Sequence, residues 1–269
     1  VRGSARLVDE TLPFPNSDRN QIDVNITGDV KIGDRLTAFT SLNYQYRKTK
    51  NFPQQGYSQI GSMFSQWFQR QLDMKRLEQN YFFEGNYYSW NRISARNKTP
   101  KYWDAPHFDF YGDLNNLRKN VMFGNFGLNY QIDDNFSADV VVRRRHNSYE
   151  YNQRRGFQSV DTPSFSESTS RYTQNELAAT LNYNKRFNDF DVNAILGYQT
   201  TQNRSQSINA STVGGLSITD FYSIATSVDR PNYSSNLTTS KVRATYASVS
   251  VGYNSIAYLD GSYRLDWGS

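Results

Sequence analysis

The chain has 269 residues, 37% of them hydrophobic and 15% aromatic, with 20 Tyr, 17 Phe and a formal net charge of +5. So many aromatics exclude a disordered chain, the shortage of aliphatic residues sets it apart from ordinary soluble domains, and no window approaches the roughly 18 uninterrupted apolar residues of a membrane-spanning helix. A β-barrel survives these exclusions, because its wall needs an apolar residue only at every second position.

The first strand signal, "QIDVNITGD", is weak, and the second is clear. In "RLTAFTSLNYQYR", Leu36, Ala38, Thr40, Leu42, Tyr44 and Tyr46 share one face. Thr37, Ser41, Asn43, Gln45 and Arg47 share the other, with Phe39 as its only apolar member. One oily and one wet side is the pattern of a wall.

A long loop follows, residues 49–120. Within "SQIGSMFSQWFQRQLDMKRLEQN", Ile60, Met63, Phe64, Trp67, Phe68, Met74 and Leu77 recur near helical spacing, with Ser58 or Ser62 as the cap. The spacing predicts a short helix lying over a barrel mouth. Beyond it, "VMFGNFGLNYQI" sets Met122, Phe126, Leu128, Tyr130 and Ile132 against Asn125, Asn129 and Gln131. The turn Asp133-Asp134-Asn135 leads into Phe136, Ala138, Val140 and Val142.

Further strands are expected from Leu177 to Tyr183, Phe190 to Thr200, Thr245 to Tyr253 and Ala257 to Trp267. That makes about eight strands in four hairpins, each about 10 to 14 residues long and matched to a tilted bilayer span. Turns within hairpins are short: Val30 to Arg35, Asp133 to Asn135, Asn184 to Asp189 and Asn254 to Ile256. Loops between hairpins are long: 49–120, 146–171 and 204–241. Short and long connections in strict alternation give an all-β, antiparallel transmembrane barrel with short periplasmic turns and long extracellular loops.

Eight strands could close only a small barrel filled by its own side chains, which has little use for such loops. With the chain ending at "DWGS", residues 1–269 are expected to be part of a larger barrel. Val1 opens directly in a polar segment without an apolar h-region, which fits an internal piece or a removed leader.

The closing segment carries Tyr246, Tyr253, Tyr258-Leu259, then Arg264, Asp266 and Ser269. It resembles the barrel signature of SusC/RagA-type TonB-dependent outer-membrane transporters, in which a strand ends in Arg-x-Asp followed by serine. "TPKYWD" and "LNYQIDDNFSADV" are similar to that family's first long loop and following hairpin. The resemblance implies a barrel of about 22 strands, of which this chain supplies a middle part without the plug domain or TonB box. It also implies a nutrient importer in the cell outer membrane, set in outer-membrane lipid. Its partners would be a SusD-like surface lipoprotein lid and TonB, its cargo oligosaccharides or peptides, and its assembly a dimer of transporter–lid pairs.

The candidate substrate-binding residues are the loop aromatics Tyr87, Tyr88, Trp90, Tyr102 and Trp103, with Phe108, Phe110 and Tyr111 nearby. Flat rings stack on sugars or peptide side chains, and they equally build a loop's own small core. "RRRH", Arg143 to His146, is expected at the extracellular rim, with Arg144 on the lipid side and Arg143 and Arg145 in the lumen. Arg264 and Asp266 share the lumen face with Asp260 and Ser262 and read as a structural pair.

Catalytic and metal signals are poor: His107 and His146 are the only histidines, cysteine is absent, and no carboxylates stand at ligand spacing around them. "GDLNN" and "VGGLS" lack a P-loop's lysine and spacing. No enzyme activity, metal or cofactor is expected, and without a dense basic stripe neither is nucleic acid. The alternative is a secreted or surface β-protein gripping glycans through the loop aromatics, without spanning a membrane. The two differ in whether Leu42, Tyr44, Val140, Leu181 and Val249 pack on a second sheet.

Overall fold

The structure, a computed structural model, describes residues 1–52, 57 and 59–269. Three strands open it: β1 (Arg2–Thr11), β2 (Asp18–Ile32) and β3 (Leu36–Lys50). The first long connection then carries α1 (Ile60–Ser62), a π-turn at Met63–Trp67, α2 (Met74–Asn80), the two-residue strands β4 (Phe82–Phe83) and β5 (Asn86–Tyr87), and α3 (Pro106–Tyr111). Six strands complete the chain: β6 (Leu114–Gln131), β7 (Phe136–Arg155), β8 (Ser164–Phe187), β9 (Phe190–Leu216), β10 (Ser227–Tyr253) and β11 (Ala257–Gly268).

All the long strands join one antiparallel nine-stranded sheet in the order β1-β2-β3-β6-β7-β8-β9-β10-β11, while β4 and β5 form a separate ribbon. The sheet is an open wall running from β1 to β11, every strand hydrogen-bonded to its neighbour in sequence.

Register carries one oily side from strand to strand. Ala5 pairs with Val24, Val24 with Tyr44, Tyr44 with Met122 and Met122 with His146; lower down, Leu128 pairs with Val140, Ala138 with Leu181 and Leu181 with Leu196. The opposite side is joined by side-chain hydrogen bonds: Gln45 Nε2 donates to Asp23, and Asn129 and Asn182 both donate to Asp139 at 2.7 Å. Phe39, the one apolar residue of β3 on that side, has its ring over Gly127 of β6, where a Cβ would clash with it. Glycine there makes room for the ring.

No second sheet covers the oily side among the described residues. Leu42, Tyr44, Val140, Leu181 and Val249 are each 39–46% exposed. A face this apolar and this bare, on strands this long, is solvated by lipid.

The strand count and the loop bounds need correcting. Among the described residues there are nine long strands rather than about eight: in β1, Arg2, Arg6, Asp9 and Glu10 obscure the alternation of Ala5 and Leu7. The stretches 146–171 and 204–241 are mostly strand: β7 runs to Arg155 and β8 begins at Ser164, β9 runs to Leu216 and β10 begins at Ser227. Beyond the lipid band both faces are polar, as in "QTTQNRSQSINAS", so the period-two signal disappears while the ladder continues. Strands therefore reach 27 residues. The tight turns fall at residues 33–35, 132–135, 188–189 and 254–256, all at one end of the wall. At the last, Asn254 and Ser255 hold positive φ of 45° and 58° as the central pair of a turn closed by the Ile256 N–H donating to the Tyr253 carbonyl at 2.8 Å. Connections 12–17, 51–113, 156–163 and 217–226 lie at the other end.

A candidate binding site in the rim loop

The loop of residues 51–113 contains most of the fully buried apolar side chains described, Met63, Ala105, Phe108 and Phe110 among them. A strand wall with one side in lipid has little core of its own, so this loop forms a separate small one. The single helix expected here is three short pieces. The chain turns extended at Phe68 (ψ 126°), where a continuous helix would have carried on. Ser62 has helical φ and ψ and caps nothing, and Ser58 lies outside the described residues. The working cap is Asp73, whose carboxylate accepts from the Arg76 backbone N–H at 3.1 Å to start α2.

The helix that sequence periodicity missed is α3, where Pro106 fits the first turn because its absent N–H is not needed there. It buries Phe108 and Phe110 and is tied to the wall. Asn16 and Asn51 donate their side-chain N–H groups to the Phe110 carbonyl at 2.9 and 3.0 Å, and Phe14 stacks on the Phe110 ring at 5.7 Å.

Three of the five aromatics singled out from the sequence serve this core. Tyr87 packs on Phe108 at 5.0 Å between ring centroids and accepts from the Ala105 backbone N–H. Trp90 donates its indole N–H to Met63 Sδ at 3.3 Å and lies 5.6 Å from Phe68 and 6.4 Å from Trp103. Tyr88 is half-buried. Tyr102 faces outward, 69% exposed, with the Lys101 ammonium 4.7 Å from its ring.

Beside Trp103 opens a cavity of about 200 Å³, whose walls include Tyr102, Asp104, Asp109, Asp113, Asn115 and Arg155. Sequence reading named no metal ligands, yet three carboxylates converge here, each with an oxygen within 4.8 Å of the others. The residues come from the approach to α3, from α3 itself and from the entry to β6. Only the i, i+4 spacing of Asp109 and Asp113 about a helix end hinted at their meeting.

Asp104 accepts from Ser159 Oγ at 2.6 Å and the Val160 N–H at 2.9 Å; Asp113 accepts from the Gly156 N–H at 2.8 Å and faces Arg155 at 3.5 Å. Arg155 also pairs with Asp161. Burial raises all three carboxyls above their ordinary range, Asp109 most strongly because Asp113 and Asp104 add like charge, and Asp113 to about 7. One guanidinium does not balance three buried carboxylates. The cluster therefore holds protons or a cation.

A second opening, about 520 Å³, lies between the loop and the tips of β7–β8 and β9–β10. Tyr81, Phe82, Tyr111, Phe157 and Tyr222 line it, with the Arg154 guanidinium 4.7 Å over the Tyr222 ring. These rings come from three separate segments, which is why sequence proximity did not assemble them.

The remaining candidates lie apart from these openings. Arg264 and Asp266 bond each other through Nε and Nη2 at 2.9–3.1 Å on the polar side of β11, with Arg264 5.7 Å from the Tyr246 ring. Arg143 to His146 lies in mid-strand, not at the rim, because β7 continues to Arg155. There Arg143 pairs with Glu176, and His146 Nδ1 lies 3.0 Å from Thr173 Oγ1. His107 is buried in the loop core against Tyr81 and Phe110.

Neither a protein-family model nor a curated protein sequence matches the chain. Solved structures do. The chain is similar to the RagAB peptide importer in its "open-open" state, with a TM-score of 0.69 at 13% identity, covering 94% of this chain and 28% of that one. It is also similar to the RagAB peptide transporter, with a TM-score of 0.68, 12% identity and the same coverages. The fold is that of part of an outer-membrane β-barrel wall. The ferripyoverdine receptor of the outer membrane of Pseudomonas aeruginosa, bound to ferripyoverdine, is similar at a TM-score of 0.51 and 12% identity, covering 99% of this chain and 33% of that one. The chain thus spans about a third or less of the length of the structures it resembles. Its oily side is the lipid face of a barrel wall, and its polar side faces the lumen.

Proposed function

We propose that this chain is part of the barrel wall of a non-enzymatic TonB-dependent importer of the SusC/RagA type in the outer membrane. The full barrel in this reading has about 22 strands and a plug. A SusD-like surface lipoprotein serves as lid, and oligosaccharides or peptides are the cargo. The observation that carries the reading is the better fit to the RagAB structures, at TM-scores of 0.68–0.69, than to the ferripyoverdine receptor at 0.51. Peptide cargo has the stronger support, because RagAB is described as a peptide importer and the larger rim opening joins aromatic rings to Arg154. In this reading Tyr102 and the rings of that opening meet cargo, whereas Tyr87, Trp90 and Trp103 hold the loop that presents them. Arg264 and Asp266 brace the lumen side of the wall.

The glycan-gripping module without a membrane span loses its main support, since it needs the oily side packed on a second sheet. The test is purification of the native protein from outer membranes in mild detergent, with intact mass and co-purifying proteins recorded. The importer predicts a polypeptide several-fold longer than 269 residues with a lipoprotein partner. A chain of this length alone, released without detergent, would end the proposal.

A further inference from the structure

We propose that Asp104, Asp109, Asp113 and Asn115 form a calcium site that pins the rim loop to the barrel wall. Three carboxylate oxygens within 4.8 Å of one another suit a calcium ion, which takes oxygens at about 2.3–2.6 Å and so spans about 5 Å across its shell. Magnesium demands near-regular octahedral geometry and gives up its waters reluctantly, whereas calcium accepts an irregular set of protein oxygens.

Asn115 supplies an independent pointer. It lines the same cavity and is only 6% exposed. Its Nδ2 donates to the Phe52 carbonyl at 3.2 Å, while its Oδ1 is buried with no hydrogen-bond donor among the described residues. A buried amide oxygen left without a donor is costly, and calcium accepts such neutral carbonyl oxygens beside carboxylates. Asp109 likewise receives no hydrogen bond from the described residues, whereas Asp104 and Asp113 each accept from protein donors, as oriented ligands do. Three carboxylates, one amide oxygen and water fill the six to eight positions calcium prefers.

The ligands join the approach to α3, α3 and the first residues of β6, and the donors that orient them come from the β7–β8 tip. A bound ion therefore fastens the loop to the start of β6 and to the β7–β8 tip. This does not depend on the cargo or on the transport reading.

The full native protein in detergent, stripped with EGTA, is titrated with calcium alone by calorimetry, and with terbium while Trp103 emission transfer is followed. Saturable terbium luminescence displaced by calcium, together with calcium protection of residues 51–113 from protease, is the expected result. Asp109→Asn is expected to weaken calcium binding on the order of 10–100-fold and to remove the protection, with the barrel's resistance to unfolding in SDS retained. Absence of calcium-displaceable luminescence in the wild type overturns the proposal, whether or not the variant folds. So does a folded Asp109→Asn that binds calcium as tightly as the parent.

Discussion

The phenol ring of Tyr246 on β10 lies over Gly197 on β9, its directly opposed partner, so closely that a Cβ at Gly197 would stand 2.1 Å from Cζ. The same ring is flanked by Arg264 of β11, which holds Asp266. The resemblance motif thus has a physical context: glycine, ring, guanidinium and carboxylate follow one another across three strands.

Gly197→Ala is therefore expected to destabilise the barrel by about 1–3 kcal/mol through overpacking. Combined with Tyr246→Ala it costs less than the sum of the two, because the clash goes with the ring. Denaturant titration in detergent, read by SDS-gel mobility, measures both; additive losses would mean that the ring and the glycine are not coupled.

Leu181 on the lipid face and Ser250 on the lumen face test which side is which. Leu181→Arg is expected to cost about 2–4 kcal/mol near the bilayer midplane. Ser250→Arg, opposite Asp260 on the polar side, is expected to be tolerated. Folding yield into lipid vesicles distinguishes them, and equal losses would contradict the assigned faces.

Phe108 carries the loop core, so Phe108→Ala is expected to cost about 3–5 kcal/mol of loop docking. The barrel itself, held by ladder hydrogen bonds, keeps its unfolding midpoint. Protease cleavage within residues 51–113 at unchanged barrel stability is the signature.

With divalent cations chelated, loop docking is expected to weaken as pH rises. Asp104, Asp109 and Asp113 bind protons more tightly when docked than when exposed, Asp113 with its pKa at about 7. The docked state is then favoured most below the ordinary carboxylate range near pH 4. That advantage is lost as pH rises above about 4 and the exposed groups ionise first, for Asp113 through about pH 7. Protease sensitivity of the loop across this range, in EGTA, is the measurement.

The lipid band was legible in the sequence because burial on one side writes a period of two, as Leu36 to Tyr46 show. Strand continuation above the band was not, since Gln202 to Ser211 meets water on both sides and composition alone reads as loop. β1 was hidden by its charges. The aromatic loop residues were found, but not their division of labour: Trp90 and Tyr102 look alike in sequence, and only contacts with Met63 or with solvent separate them. The acidic cluster assembles through turns that no local pattern encodes.

The length of β9 and β10 has a thermodynamic consequence. At about 3.3 Å per residue, 27 residues extend about 90 Å, far more than a tilted strand needs to cross about 30 Å of hydrocarbon. The excess stands in water as a hydrogen-bonded palisade. A molecule arriving there meets a surface whose backbone entropy was spent when the wall folded, so binding it carries no cost for ordering those segments.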